Sequence, residues 1–281
     1  GRNVGQSLET ALAGFTGKTT IAITNPTTGV ISNRADIDFS GGAISINGVA
    51  TTPANFLAEL NTQLGGAATA SFDGGVLKIT ANPVAGVTGG VAIGDDSTTP
   101  SAKAGRGFSH YFGLNDLVRT DRPALYDLGL TATSDLGFTA GQTIQFRFTD
   151  DAGNRLRDVS VAMPAGGTTA DVLAALNNPI TGAGRFGVFS LDPATGAVTF
   201  KGSGNPAAQL NVLEDKTTQN PSGVSLSELF GLGGGLRASR ADGFSVRNDI
   251  DKNGANLALA KLNLSAAPGT AALSAGDTRG A

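Results

Sequence analysis

The sequence predicts a mainly β fold of the α+β type. It reads as two similar β-rich domains, each with antiparallel strands, one short packed helix and a closing Phe-Gly-Leu turn. Three observations carry this. Short runs of Val, Ile, Thr and Phe alternate at period two and are cut by glycine, which at 41 of 281 residues is about twice its ordinary share. The two halves of the chain match each other in order and spacing. Each half also holds one capped, amphipathic stretch among its strands.

The repeat is read from four matches in register. GFTGKTTIAIT (14–24) matches GFTAGQTIQFRFT (137–149), and ISINGVATTPANFLAELN (44–61) matches VSVAMPAGGTTADVLAALN (159–177) in pattern. SFDGGVLKITA (71–81) matches SLDPATGAVTFKG (190–202), and FSHYFGLND (108–116) matches LSELFGLGG (226–234). In each copy the first strand alternates, with Ile21 and Ile23 or with Ile144, Phe146 and Phe148, as a half-buried strand requires. NPTTG (25–29) and DDAGN (150–154) supply the Asn, Asp and Gly of tight turns. A second strand follows at Ile37 and Phe39, or at Val159 and Val161.

The helix comes next. Thr52 is placed as N-cap with Pro53 at the first helical position, where a missing N–H costs nothing, and Thr168 with Asp171 serves the second copy. Phe56, Leu57 and Leu60 share one helical face, as do Val172, Leu173 and Leu176, so each helix is expected to lie across its sheet. Two strands joined at DGG (73–75) or DPATG (192–196) follow, then a further strand at 91–93 or 210–213. The expected bounds are a linker or helix end at 1–13, domains at 14–118 and 136–235, and a connector at 119–135 carrying Tyr126. In the tail, 236–281, FSVRNDI (244–250) reads as a strand, NLALAKLNL (256–264) as strand or helix, and the remainder as extended and poorly packed.

Composition excludes several chemistries. There is no cysteine and a single histidine, so disulfides, thiolate catalysis and Cys- or His-built metal sites are out of reach. A net charge of −3 with no basic block argues against nucleic acid as a partner. No apolar run reaches membrane-spanning length, and no signal peptide opens the chain. Gly1 in place of methionine, and Arg279-Gly280-Ala281 at the other end, read as the limits of a piece cut from a longer protein.

Several motifs invite a chemical reading. FTGKTT (15–20) partly matches a phosphate-binding loop, but position 12 is Leu12 where that loop needs glycine, and a strand follows Lys18. In DIDKNG (249–254), Asp249, Asp251 and Asn253 stand at calcium-loop positions with Gly254 at the turn, yet the twelfth position is Ala260 instead of glutamate. The pairs Asp95-Asp96 and Asp150-Asp151 read as turn carboxylates, because neighbours on a strand face opposite ways. A hydrolytic triad has only His110 for a base, and His110 is replaced by Glu228 in the second copy. What recurs is apolar packing: Phe112, Gly113 and Leu114, then Phe230, Gly231 and Leu232, with glycine capping a short helical turn. No cofactor and no enzymatic activity are expected.

FSHYFGLNDLV (108–118), set in a glycine-rich, cysteine-free, duplicated β chain, resembles the flagellar hook-associated protein 1 family, the hook–filament junction proteins. FSVRNDIDKNGANLALAKL and AALSAGDTRGA look like that family's return segment toward its C-terminal helix. The resemblance implies a central fragment without the terminal coiled-coil helices. It implies an extracellular structural subunit of the bacterial flagellum, exported unfolded and assembled as a ring of identical subunits. Implied partners are other copies of itself, the hook protein, the second junction protein and an export chaperone bound through the C-terminal region. A secreted adhesin or glycan-binding β protein is the alternative, and a carbohydrate-active enzyme would require a cleft with two convergent carboxylates.

Overall fold

The computed structural model describes residues 1–25, 27–120, 126–234, 244–254 and 262–272. It is mainly β, with 38% strand and 16% helix in several antiparallel sheets and a few short helices. The chain forms two compact units. The first takes Gly1–Arg2, Leu12–Arg119 and Ser245–Ala281, and the second takes Asn3–Ala11 and Thr120–Phe244.

The chain opens with helix α1 (Leu8–Leu12). The first unit is then built from β1 (Lys18–Thr24), β2 (Ile31–Asp38), β3 (Ile44–Ile46), β4 (Val49–Thr51), helix α2 (Phe56–Gln63), β5 (Ala68–Asp73) and β6 (Val76–Ala81). A small hairpin, β7 (Pro83–Val84) with β8 (Val87–Thr88), leads to β9 (Gly90–Asp95) and helix α3 (Phe108–Tyr111). Five strands make one antiparallel sheet in the order β4-β3-β2-β1-β9, while β5 and β6 pair as a separate hairpin. Thr52 caps a 3₁₀ turn that runs into α2, its side chain accepting from the Asn55 N–H at 3.3 Å with Pro53 just inside. Phe56 and Leu60 of α2 are buried. Phe56 packs against Phe108, in an aromatic core where Phe15, Phe39, Phe108, Tyr111 and Phe112 have ring centroids 4.9 to 6.1 Å apart.

The second unit repeats this plan after β10 (Val118–Thr120). It has β11 (Thr143–Thr149), β12 (Arg155–Ala162), α4 (Thr169–Leu176), β13 (Gly187–Leu191), β14 (Val198–Gly202), β15 (Gln209–Asp215) and α5 (Leu226–Phe230). Its sheet has three strands in the order β12-β11-β15, and β13 pairs with β14. Thr168 and Asp171 form a reciprocal capping box at the start of α4, and Ser225 and Glu228 form another at α5. Ile144, Phe146 and Phe148 point inward, as alternation requires, and Phe146 and Phe148 stack among Phe186, Phe189 and Phe200. Residues 3–11, which include most of α1, belong here as well. Asn3 Nδ2 donates to the Ser222 carbonyl at 3.0 Å, and Thr10 Oγ1 to that of Asp135 at 3.0 Å.

Two expectations are corrected. Matching ISINGVATT to VSVAMPAGG by pattern sets Ile44 against Val159, but the ladders do not. One bulge follows Ile23 in β1, opposite Asn33 and Ile31, and another follows Phe148 in β11, opposite Arg157 and Arg155. That shared bulge aligns β12 with β2, and the β3–β4 hairpin is an addition in the first unit only. A short apolar strand followed by a turn looks alike in either place, and of the two placings of Val159 and Val161 the ladders keep the one beside Ile37 and Phe39, with Ile37 at Val161.

The tail is the second correction. FSVRNDI splits into β16 (Phe244–Val246) and a short helix, α6 (Asn248–Lys252). Most of NLALAKLNL lies outside the described residues. Residues 262–272 are far from poorly packed. Ala266 and Ala272 join Ala22 and Ile31 in a buried cluster, with Leu262 and Leu264 against it. Strand β1 is therefore covered on both faces around Ala22, and the missing Cβ of Gly94 makes room for the Leu264 side chain. Small alanines let this segment lie close along the sheet.

Candidate functional site

The stretch around His110 places packing inward and histidine outward. Phe108, Tyr111 and Phe112 are fully buried in the aromatic core, Leu114 is half-buried, and His110 is exposed. Gly113 adopts φ 62°, and the Gly113 N–H donates to the His110 carbonyl at 3.2 Å while the Leu114 N–H donates to that of Ser109 at 2.9 Å. Those two bonds form a Schellman cap, which a left-handed glycine completes. In the second unit Gly231 has φ 60°, the Leu232 N–H donates to Ser227 at 2.9 Å, and Phe230 and Leu232 are buried. Glu228, in the place of His110, receives the N–H of Ser225 at 3.1 Å and so serves the helix start.

Of the calcium-loop positions, the first lie in a helix, and Ala260 lies outside the described residues. Asp249 and Asp251 fall within helix α6, and Asn253 follows it in extended conformation. The Asp249 side chain lies outside what the structure describes. Among the described residues, no three His, Asp or Glu side chains come together as a metal cage would require.

The acidic pairs serve turns. Asp96 accepts from the Thr98 and Thr99 N–H groups at 2.9 and 2.7 Å, and these bonds, Thr99's first, hold its carboxyl below the ordinary range. Asp150 is held low by the Asn154 side chain and backbone, at 2.9 and 2.7 Å. Asp95 accepts from Ser101 Oγ. Asp151 is exposed at its turn. Lys18 opens strand β1 instead of a helix, and Gly17 at φ 72° brings the backbone against the Pro100 carbonyl, so FTGKTT is a strand entry.

A polar groove of about 1070 Å³ crosses the first unit over β1, β2 and β9, lined by Lys18, Arg34, Asp36, Asp38, Asp95 and Asp96 among others. Each of these carboxylates is already engaged. Asp36 accepts from Thr20 Oγ1 at 2.7 Å and from Arg34 at 2.6 Å, and Asp38 accepts from the Ser40 N–H at 2.7 Å and pairs with Lys18 at 3.2 Å. None is left poised opposite another for acid–base work.

Sequence reasoning missed Lys103. This lysine is 4% exposed, with Nζ 5.3 Å from the Tyr111 ring centroid and 6.0 Å from that of Phe15. Burial lowers its pKa to about 7. A tight turn through Ala104 (φ 49°) and Gly105 (φ 72°) fixes it, with Lys103 and Arg106 exchanging backbone bonds of 2.9 and 3.0 Å. Its sequence holds one hint, a period-two alternation with Ser101, which is also buried, and nothing there announces the rings around it.

No family model, no curated protein and no solved structure matches the chain.

Proposed function

We propose that this chain is part of a structural subunit of the bacterial flagellum, located outside the cell, that joins hook to filament and assembles as a ring of identical subunits. The observation that carries the reading is the FSHYFGL turn, built a second time as LSELFGL with the same left-handed glycine, the same bond from the leucine N–H back five residues and the same inward phenylalanine. That motif bears the resemblance to hook-associated protein 1, and its conformation gives it a packing role in place of a chemical one. Support also comes from the carboxylates Asp96, Asp150, Asp171 and Glu228, which bond within turns and helix caps. On this reading the partners are further copies, the hook protein, the second junction protein and an export chaperone.

The test is deletion of the gene in the bacterium that encodes it, with immunogold labelling of the complemented strain. The expected result is cells carrying hooks without filaments, and label confined to the hook–filament boundary. Normal filaments in the deletion strain would overturn the proposal. Binding on a glycan array together with normal filaments would establish the adhesin alternative.

A further inference from the structure

The two units repeat one sheet and differ at its edges. The shared bulge aligns Ile31 with Arg155, Ile37 with Val161, and Ile93 of β9 with Val212 of β15. In the first unit both flanks are occupied. Ile31 donates its N–H to the Thr270 carbonyl at 3.1 Å and accepts from the Gly269 N–H at 2.8 Å, and further along β2, Ile37 pairs with Ile46 of β3. On the β9 side, Asn115 Nδ2 donates to the Ile93 carbonyl at 3.0 Å. In the second unit β12 and β15 end the sheet, and among the described residues their backbones bond only to β11. Gly233 stands where Asn115 stands in the first unit.

The two bare edges are complementary. β12 begins with Arg155, which is exposed and pairs with Asp158 of its own strand at 3.1 Å. β15 ends with Glu214 and Asp215. Laid antiparallel, the start of one strand meets the end of the other. Each strand also carries one bulged leucine that its ladder skips, Leu156 at 51% exposure and Leu213 at 43%.

We propose that β12 of one copy pairs antiparallel with β15 of the next, so that the three-stranded sheets of successive copies run on as one. The register sets Arg155 opposite Glu214, Leu156 opposite Leu213, and Val159 opposite Leu210. Val159 and Leu210 pair with Phe146 and Phe148 respectively, so both lie on the apolar face. Arg155 and Glu214 meet on the outward face, as the ladder positions of Thr149 and Gln145 require. Main-chain bonds give such an added strand its hold, and side chains set its register. The contact is head-to-tail, so each copy offers one edge and receives the other, as a ring or tube requires. It deepens the assembly reading and rests on it.

Cysteine is absent, so introduced thiols report without background. Ser160 and Gln209 are exposed and face each other in the proposed register. Within one unit they lie two strand spacings, about 10 Å, and four residues, about 13 Å, apart, too far for a disulfide. The chain carrying Ser160→Cys is mixed with the chain carrying Gln209→Cys under mild oxidation. The expected result is a mixed dimer exceeding either homodimer, reduced roughly two- to fivefold by Arg155→Glu and recovered when Glu214→Arg is placed in the other chain. A dominant Ser160→Cys homodimer would show symmetric β12–β12 pairing and overturn the inference. Statistical yields, or no mixed dimer, would overturn it too and leave the edge charges as a guard against aggregation. A mixed dimer from a protein absent from flagella would sink the flagellar reading alone, and a junction-located protein without one would sink this contact alone.

Discussion

Lys103 shows how one residue can tie stability to pH. Its ammonium sits among the rings of Phe15 and Tyr111, and burial holds its pKa near 7 instead of 10.5. Between those two values the unfolded chain binds a proton that the folded chain does not, so stability rises with pH across the window. Below about pH 7 both states are protonated and the slope vanishes. The expected gain approaches about 1.4 kcal/mol per pH unit between pH 7.5 and 9.5. Denaturant unfolding of the wild type and of Lys103→Met over that range checks it, and the variant is expected to lose this share of the slope. A slope equal in both would mean that Lys103 keeps its proton in the fold. His110, seven residues on, was legible beforehand for what it is not. His110, alone of its kind, looked chemical until Glu228 stood in its place, and the exposed imidazole agrees with that substitution.

At the scale of elements, the repeated unit is its turns. Gly113 and Gly231 hold left-handed backbone at the ends of α3 and α5, and a Cβ on either meets a neighbour at 2.7 Å, Arg2 Nε in one case and the Tyr126 ring in the other. Gly86 has a comparable φ of 82° with open space around it. Gly→Ala at 113 or 231 is therefore expected to cost about 2–4 kcal/mol, strain plus displaced neighbours, against about 1–2 kcal/mol at 86 from strain alone. Thermal melts of the three variants check the order, and equal losses would remove any role for the close packing. Strands, caps and closing turns were readable because each carries a local signature: alternation, Thr52 before Pro53, Thr168 with Asp171, glycine after phenylalanine. The β3–β4 hairpin was not recognised as an addition, because Ile-Ser-Ile and Val-Ser-Val satisfy one periodicity and only the ladder tells which strand each extends. Lys103 was illegible for the opposite reason, since nothing local announces that an aromatic core will close over an ammonium.

At the scale of the whole chain, the first unit is assembled from segments distant in sequence. Residues 262–272 return to β1 and β2 after the entire second unit has intervened. From Ser265 on, their alanine-rich and uncharged composition gave no periodicity and read as loose. They are held by what they cover: Ala22 and Ile31 are fully buried beneath them, and Ile31 gives both backbone groups to Gly269 and Thr270. Uncovering one buried isoleucine costs about 1.5–3 kcal/mol, and an unmade buried backbone bond adds about 1–3 kcal/mol. Removing residues 245–281 should therefore weaken the first unit by several kcal/mol while leaving the core of the second, around Phe146, Phe148 and Phe189, unchanged. Hydrogen exchange resolves the two: the Ile31 amide and its neighbours on β1 should lose protection, and β11 should keep its own. Ala272→Asp in the full chain repeats the experiment without shortening it, because a carboxylate cannot be accommodated at a fully buried alanine. If β1 retains its protection in both variants, the return segment merely rests on the sheet. If it loses protection in both, the first unit is complete only after the second has been made, and its folding must wait for the end of the chain.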